Sequence, residues 1–249
     1  MRHTTMKKII VMIIATFMLA IPSMAQKPVL HYDFKASKNK IVVNKANKNM
    51  NGELKGSAKL VKEGKTTVVD LGNDGGYIDI GKEIGVIMKN TSAFTVAVKY
   101  FVRVEASLKG NGYFLWAFST MEQNTRTEGR YHAYKLNIQR SENSIGGWTR
   151  ETLMDVGKPS VKGKWQYAVY TQDGADGHLY VNGELVASNK EMFTMSTTFP
   201  DEAPTYNWIG RAPFKGDAFL AGTLIQDVRV YTEALSEQDV KKLSKKMLK

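Results

Sequence analysis

The chain has 249 residues, with 35 Lys and Arg against 24 Asp and Glu, a formal charge of +11, and no cysteine. The lack of cysteine excludes disulfide staples, thiolate metal sites, cysteine nucleophiles and a lipid-modified cysteine. A chain of this length buries roughly 70% of its unfolded surface on folding, so its core needs no such staple.

The chain opens with a leader pattern: Lys7 and Lys8, an apolar run from Ile9 to Ala20, and the small-residue exit Ser23-Met24-Ala25 before Gln26. This reads as a signal peptide over 1–25, cleaved near Ala25/Gln26, which places the remainder in the periplasm or outside the cell. The apolar run is 12 residues, against about 20 needed to cross a bilayer, so no membrane span is expected. Residues 26–249 contain no linker rich in Pro, Gly or Ser and read as one domain.

From Val29 onward the dominant pattern is alternation with period two, the mark of half-buried antiparallel strands. Strands are expected at Leu30–Phe34, Thr67–Leu71 and Tyr77–Ile80, with a short helical turn around Glu83–Met88. The clearest strand follows: Phe94, Val96, Val98, Tyr100, Val102 and Val104 fall on one face, with Thr95, Ala97, Lys99 and Arg103 on the other. Further strands are expected at Tyr113–Ser119, Tyr131–Ile138, Trp165–Thr171, His178–Val181, Glu184–Ser188 and Thr223–Tyr231. Asn182-Gly183 sits between two of these and supplies the positive φ of a tight hairpin turn. One helix closes the chain, capped by Ser236 with Asp239 three residues on and an apolar stripe at Val240, Leu243 and Met247. Short strands at this spacing predict an all-β sandwich of two antiparallel sheets with a short C-terminal helix.

Three passages carry a family resemblance. The first is His31-Tyr-Asp-Phe, the Asn47–Gly52 loop and Leu71-Gly-Asn-Asp-Gly-Gly-Tyr-Ile-Asp-Ile. The second is Gly163-Lys-Trp-Gln-Tyr-Ala-Val-Tyr, continued by His178-Leu-Tyr-Val-Asn-Gly-Glu-Leu-Val. The third is Trp208-Ile-Gly-Arg followed by Phe219-Leu-Ala-Gly-Thr-Leu-Ile-Gln-Asp-Val-Arg-Val-Tyr-Thr-Glu-Ala-Leu-Ser. Together they resemble the laminin G-like branch of the concanavalin A-like lectin/glucanase jelly rolls and span nearly all of residues 26–249. The resemblance implies a jelly-roll sandwich, and a structural Ca2+ bound by carboxylates and carbonyls. Its candidates here are Asn44 and Asp227. The chain departs from the family pattern at both places, with Asn44-Lys-Ala-Asn in the opening loop and Gln226-Asp227 before Val-Arg. Fewer anionic ligands imply weaker calcium affinity.

Three functional classes remain. A lectin-like module needs aromatic faces to stack on sugar C–H surfaces and polar groups to orient hydroxyls. The candidates are Tyr131, His132, Tyr134, Trp148, Arg150 and Arg211, which combine planar faces with donors. A glycoside hydrolase of the same fold needs two facing carboxylates about 5.5 Å apart, or wider if inverting. The Glu-x-Asp-x-x-Glu strand motif is absent, as are a serine elbow and a phosphate loop, so catalysis is not expected unless a pair is assembled across strands. The third class is adhesion to anionic partners, for which there are two lysine clusters. One is Lys35, Lys38, Lys40, Lys45 and Lys48; the other is Lys241, Lys242, Lys245, Lys246 and Lys249. The expected partner is a polysaccharide or glycan, acidic ones included, and export argues against nucleic acid.

Overall fold

The structure, a computed structural model, describes residues 27–104, 114–120, 130–134, 137–141, 151–154, 161–214 and 216–249. For 130–134, 137–141 and 151–153 it describes the backbone alone. The leader at 1–25 lies outside the described residues.

The strands in chain order are β1 (Leu30–Tyr32), β2 (Ile41–Val42), β3 (Gly52–Lys55), β4 (Lys59–Glu63), β5 (Thr66–Asp70), β6 (Tyr77–Asp79), β7 (Ala93–Val102) and β8 (Phe114–Ser119). They continue as β9 (Arg130–Tyr134), β10 (Asn137–Ser141), β11 (Glu151–Met154), β12 (Trp165–Asp173), β13 (Asp176–Val181), β14 (Glu184–Asn189), β15 (Tyr206–Ile209) and β16 (Thr223–Tyr231). Helix α1 (Lys82–Lys89) follows β6, α2 (Met195–Thr198) precedes β15, and α3 (Glu237–Met247) follows β16.

These strands make two eight-stranded antiparallel sheets. Sheet A runs β14-β13-β12-β7-β16-β5-β4, with β1 also paired to β16; sheet B runs β11-β10-β9-β8-β15-β6-β3-β2. The alternation of β7 does what the sequence predicts: Phe94, Val96, Val98, Tyr100 and Val102 face the inter-sheet core, where Leu30, Tyr32, Phe118, Tyr170 and Ile225 meet them. The opposite face of β7 is buried as well. Ala97 joins Tyr167, Val169, Tyr180 and Tyr231 in a second apolar cluster, which Leu235 and Val240 cover from outside. Tyr167 and Val169 therefore pack beneath α3 and not between the sheets, while Trp165, on the same face, packs against Phe101 under the Lys99 ammonium.

Two local devices orient the chemistry. Asn182 and Gly183 both take positive φ, 56° and 91°, in the tight turn joining β13 to β14. In β16 the register with β7 shifts between Ile225 and Asp227. The extra residue, Gln226, reverses the alternation, so that Ile225, Val228 and Val230 face the core while Asp227, Arg229 and Tyr231 turn outward. Helix α3 begins as expected: the Ser236 hydroxyl accepts the Asp239 N–H at 3.2 Å and donates to the Asp239 carboxylate at 2.6 Å.

The single strand expected over Tyr131–Ile138 is two antiparallel strands, β9 and β10, paired through Tyr134 and Asn137. Strands β2, β3, β4, β11 and β15 were not anticipated. Gly52–Lys55 and Lys59–Glu63 are short and rich in Lys and Glu, so their period-two signal is weak, and β4 buries none of its residues fully.

Candidate functional site

The most chemically suggestive surface lies on the outer side of sheet B. Ile78 and Ile209 point into the core, so their neighbours Tyr77, Asp79 and Trp208 point outward. Trp208 is paired with Asp79 on one side and Ala117 on the other. Phe219 joins the cluster from the segment after Gly210. The Tyr77 ring lies edge-on to Trp208 at 5.7 Å and tilted to Phe219 at 5.8 Å; Tyr206 meets Trp208 edge-on at 5.4 Å.

The Arg211 guanidinium stacks into this group, its Cζ 4.1 Å from the Trp208 ring centre, 4.7 Å from Tyr77 and 5.1 Å from Phe219. Contact with three rings pre-organises a planar donor whose charge is balanced by π-faces. Trp208 is the buried floor at 3% exposure, while Tyr77, Phe219 and Arg211 are half-buried and Tyr206 is 36% exposed. Tyr77, Phe219 and Tyr206, partly exposed and held around the buried Trp208, form a platform for an apolar face with polar edges.

Acidic groups stand beside the platform. Glu53 and Asp79 are direct register partners on β3 and β6, which places such side chains about 5 Å apart at Cβ. Glu53 also contacts Lys55 Nζ at 2.6 Å, and Asp79 accepts the Gly81 N–H at 3.0 Å. The sequence alone left such a cross-strand pair open.

Of the residues expected to bind ligand, Arg211 lies in this cluster. The backbone of His132 sits in the same register row, paired with Ala117, the partner of Trp208. Tyr131 is paired with Phe118 and Tyr134 with Phe114. Trp148 and Arg150 lie outside the described residues. Tyr77, Tyr206, Trp208 and Phe219 were not singled out. The signal was present in Tyr77-x-Asp79 and Tyr206-x-Trp208, but nothing in one sequence shows that β6 and β15 are neighbours.

Asn44 and Asp227 are both committed to internal contacts. The buried Asn44 amide oxygen accepts the N–H groups of His31 and Ala46 at 2.9 and 3.0 Å, and its nitrogen donates to the Val29 carbonyl. The Asp227 carboxylate, 2% exposed, accepts Arg229 Nε at 2.7 Å and Arg229 Nη2 at 3.1 Å, and meets His31 Nε2 at 3.0 Å. Burial opposes the Arg229 charge, but Asp227 more than offsets it and raises the guanidinium above its usual range. Burial draws Lys99 below the lysine range, with Asp227 partly restoring it. Calcium requires six to eight oxygens; an amide already accepting two N–H groups and a carboxylate neutralised by arginine do not fit that need. Among the described residues no group of three His, Asp or Glu could hold a metal.

Two open clefts lie elsewhere. One of about 650 Å³ is lined by Ser57, Lys59, Asp70, Asp74 and Arg103, and one of about 410 Å³ by Asp173, Asp176, His178, Tyr180 and Glu237. Arg103 in the first is tied to Asp70, and His178 in the second lies 3.2 Å from Asp176. Neither presents clustered rings.

Two eight-stranded antiparallel sheets with a C-terminal helix packed on sheet A define a jelly-roll β-sandwich that carries a partly exposed aromatic cluster on the outer side of sheet B. The chain belongs to the family described as the concanavalin A-like lectin/glucanases superfamily, whose laminin G-type model matches residues 71–241. Comparison with curated proteins finds no match by sequence. Among solved structures, domain 4 of AbnA, a GH43 extracellular arabinanase from Geobacillus stearothermophilus, in complex with arabinotriose, aligns with TM-score 0.66 and 14% identity, covering 89% of this chain and 100% of that one. The binding domain of botulinum neurotoxin DC in complex with SialylT aligns with TM-score 0.58 and 13% identity, covering 89% of this chain and 51% of that one. A mutant Trypanosoma rangeli sialidase displaying trans-sialidase activity gives TM-score 0.58 and 13% identity, covering 89% and 33%. The chain thus spans about half of the toxin domain and a third of the sialidase, and likeness at this identity is likeness of fold. No helix among the described residues is long and apolar enough to cross a membrane.

Proposed function

We propose that this chain, exported after loss of residues 1–25, is a noncatalytic carbohydrate-binding module that seats sugar rings on the Tyr77–Trp208–Phe219 face. The observation that carries this is the Arg211 guanidinium stacked on three rings, of which Tyr77 and Phe219 keep part of their surface in solvent. The rings supply flat apolar area for pyranose or furanose C–H faces, while Arg211 and Asp79 supply a donor and an acceptor at the margin. The leader pattern at Lys7, Lys8 and Ile9–Ala20 supports export, where polysaccharide is the available polymer. The arabinanase domain carries arabinotriose, so arabino-oligosaccharides are the first probe, followed by a panel of neutral glucans, xylans and mannans.

Calorimetric titration of the purified protein should show binding to at least one neutral oligosaccharide that survives high salt. Loss of that binding in Tyr77→Ala, with melting temperature kept, locates it on this face. Absence of binding across the panel would sink the reading.

The Glu53–Asp79 register pair supports a second reading, a glycoside hydrolase. Against it, the Glu53 side chain is 48% exposed and in contact with Lys55, a solvated setting that does not favour a proton-holding general acid. Reducing-end release in the same titration samples, abolished by Glu53→Gln, would establish that reading in place of the first.

A further inference from the structure

The cleft of about 410 Å³ on the outer side of sheet A is built on the β12–β13 hairpin and the segment that leads into α3. Tyr167, Val169 and Tyr180 face outward in the second apolar cluster. Alternation therefore turns Thr171 and Asp173 of β12, and Asp176 and His178 of β13, to the same side. Thr171 is paired with His178 and Asp173 with Asp176 across the two strands. Leu185, the register partner of Tyr180 on β14, and Leu235, just ahead of α3, supply apolar walls.

The charges in this cleft do not cancel. Asp173 and Asp176 stand directly opposite each other, with Cβ atoms about 5 Å apart, and like charges so placed destabilise a sheet. No Lys or Arg lines the cleft among the described residues. Asp176 Oδ1 lies 3.2 Å from His178 Nε2, while 46% of the Asp176 side chain stays exposed. Asp173 is exposed and makes no ion pair among the described residues. Glu237, the third carboxylate, is already engaged: Lys241 Nζ contacts it at 2.5 Å, and it complements the dipole in the first turn of α3. The uncompensated pair is Asp173 and Asp176.

Two buried hydroxyls complete the cleft. Thr171 is 2% exposed and Tyr180 4%, and both line it. Neither hydroxyl makes a hydrogen bond among the described residues. Burial first, then Glu237, raises the Tyr180 ionisation, so this hydroxyl is a donor at neutral pH. Polar groups set this deep without partners are a cost to the fold that a polar ligand removes.

We propose that this cleft binds a protonated amino sugar, a hexose that carries one ammonium group among its hydroxyls. The ammonium seats between Asp173 and Asp176 and relieves their repulsion. Sugar hydroxyls meet Thr171 and Tyr180, and C–H groups lie against Leu185 and Leu235. A lysine side chain brings an ammonium but leaves both hydroxyls unanswered. A neutral hexose answers the hydroxyls but leaves the carboxylates opposed. Calcium requires six to eight oxygens, and no group of three His, Asp or Glu among the described residues could hold a metal. The positive charge of the whole chain does not oppose this ligand at close range. Lys245 stands about two turns beyond Glu237 on α3, about 12 Å at helical rise, which exceeds the screening length of about 8 Å at physiological salt. The cleft lies on the other sheet from the Tyr77–Trp208–Phe219 face and works independently of the function proposed above.

The test is calorimetric titration with a β-1,4-linked glucosamine trimer, its N-acetylated counterpart and spermidine. Tyr77→Ala is used beside wild type, so that neutral sugar on the aromatic face does not enter the comparison. In Tyr77→Ala the glucosamine trimer should bind at least about tenfold more tightly than the acetylated trimer, which keeps the hydroxyls and lacks the charge. It should exceed spermidine, which keeps the charge and lacks the hydroxyls, by a similar factor. Asp173→Asn and Asp176→Asn should each weaken the glucosamine trimer about tenfold. Thr171→Val should weaken it about threefold and leave spermidine unchanged. No binding of the glucosamine trimer, equal affinity for the acetylated one, tighter binding of spermidine, or indifference to both aspartate variants would each overturn the proposal. So would loss of the glucosamine trimer in Tyr77→Ala relative to wild type, which would move the ligand to the other face. Because each carboxamide removes a like-charge repulsion, melting temperature should hold or rise in the aspartate variants, and that excludes misfolding as the cause of lost binding.

Discussion

The two sheets turn outer faces of different construction to their surroundings. On sheet A, Tyr167, Val169, Tyr180 and Tyr231 form an apolar patch that Leu235 and, from α3, Val240 and the half-buried Leu243 and Met247 cover. At the end of that helix lies a polar knot in which Asp227 gathers Arg229 and His31. On sheet B, Tyr77, Phe219 and Tyr206 surround Trp208, and the Arg211 guanidinium lies over the rings. Aromatic residues on an outer strand face thus have two fates in one molecule. Where the chain supplies its own cover they become a second core, and where it does not they remain a surface for another molecule's rings. The patch on sheet A should accordingly register in stability and the platform in binding.

The largest effect should come from breaking the knot. Asp227→Ala leaves a largely buried guanidinium without its anion, and removing one partner of such a pair costs about 3–5 kcal/mol. Denaturant unfolding followed by tryptophan fluorescence should show that loss, with the slope preserved; a change below about 1 kcal/mol would mean that Arg229 is solvated in solution and that the cover over sheet A is loose. Next in size is Tyr77→Ala on the other face. Removing one stacking ring should weaken neutral-glycan affinity about tenfold, corresponding to about 1.4 kcal/mol, with little change in unfolding midpoint. A large drop in stability with unaltered affinity would reverse the assignment of the two faces.

The sandwich was legible because its long central strands are regular. β7 carries a regular period-two pattern, β12 and β16 are long and rich in aromatic and β-branched residues, and Asn182-Gly183 and the Ser236–Asp239 cap each follow from local chemistry. What remained hidden is nonlocal. That Tyr167 and Val169 face a helix and not the inter-sheet core depends on where α3 docks, because both faces of β12 are apolar and alternation cannot rank them. The platform is built by register between β6 and β15, more than a hundred residues apart, so only Arg211 could be marked from its own neighbourhood. Asn44 and Asp227 were marked for their oxygens; that those oxygens are occupied by His31, Ala46 and Arg229 is a fact of packing.

A smaller effect of opposite sign concerns Tyr167. Its hydroxyl is buried with no hydrogen-bond partner among the described residues. Burial first, and Asp227 second, push its ionisation well above the usual range. Tyr167→Phe removes an uncompensated polar atom and should stabilise the protein at neutral pH by about 1 kcal/mol. A phenol whose pKa is raised by folding contributes stability that is fully present below the unfolded pKa of about 10 and lost as pH climbs beyond it. The variant should therefore unfold less steeply in alkali than wild type. Thermal melts between pH 8 and pH 11.5 compare the two, and identical alkaline slopes would show that the phenol is hydrated.

The smallest expected effect lies one strand away from the knot and sharpens the contrast by its size. Asp33 sits on the same side of β1 as His31, but its side chain keeps 15% exposure and its partner at 2.8 Å, Lys45, is half-exposed. Partial burial works against its ionisation, yet the Lys45 ammonium, together with the Lys35 N–H, holds the carboxyl below the usual range. A carboxyl with a depressed folded pKa stabilises the fold above its unfolded pKa of about 3.9, and that contribution disappears as pH falls through the folded value. Lys45→Ala should bring the Asp33 titration, followed by carboxyl-carbon NMR, back up toward the ordinary range. Because the pair is solvent-screened, stability at pH 7 should fall by less than about 1 kcal/mol, and by nothing measurable once pH is below both pKa values. Two aspartates on one face, each with a cationic partner, would then differ several-fold in consequence, and the difference would be burial alone. If Lys45→Ala instead costs as much as Asp227→Ala, the loop carrying Lys45 closes over the knot, and the boundary between covered and open surface on sheet A lies beyond β1.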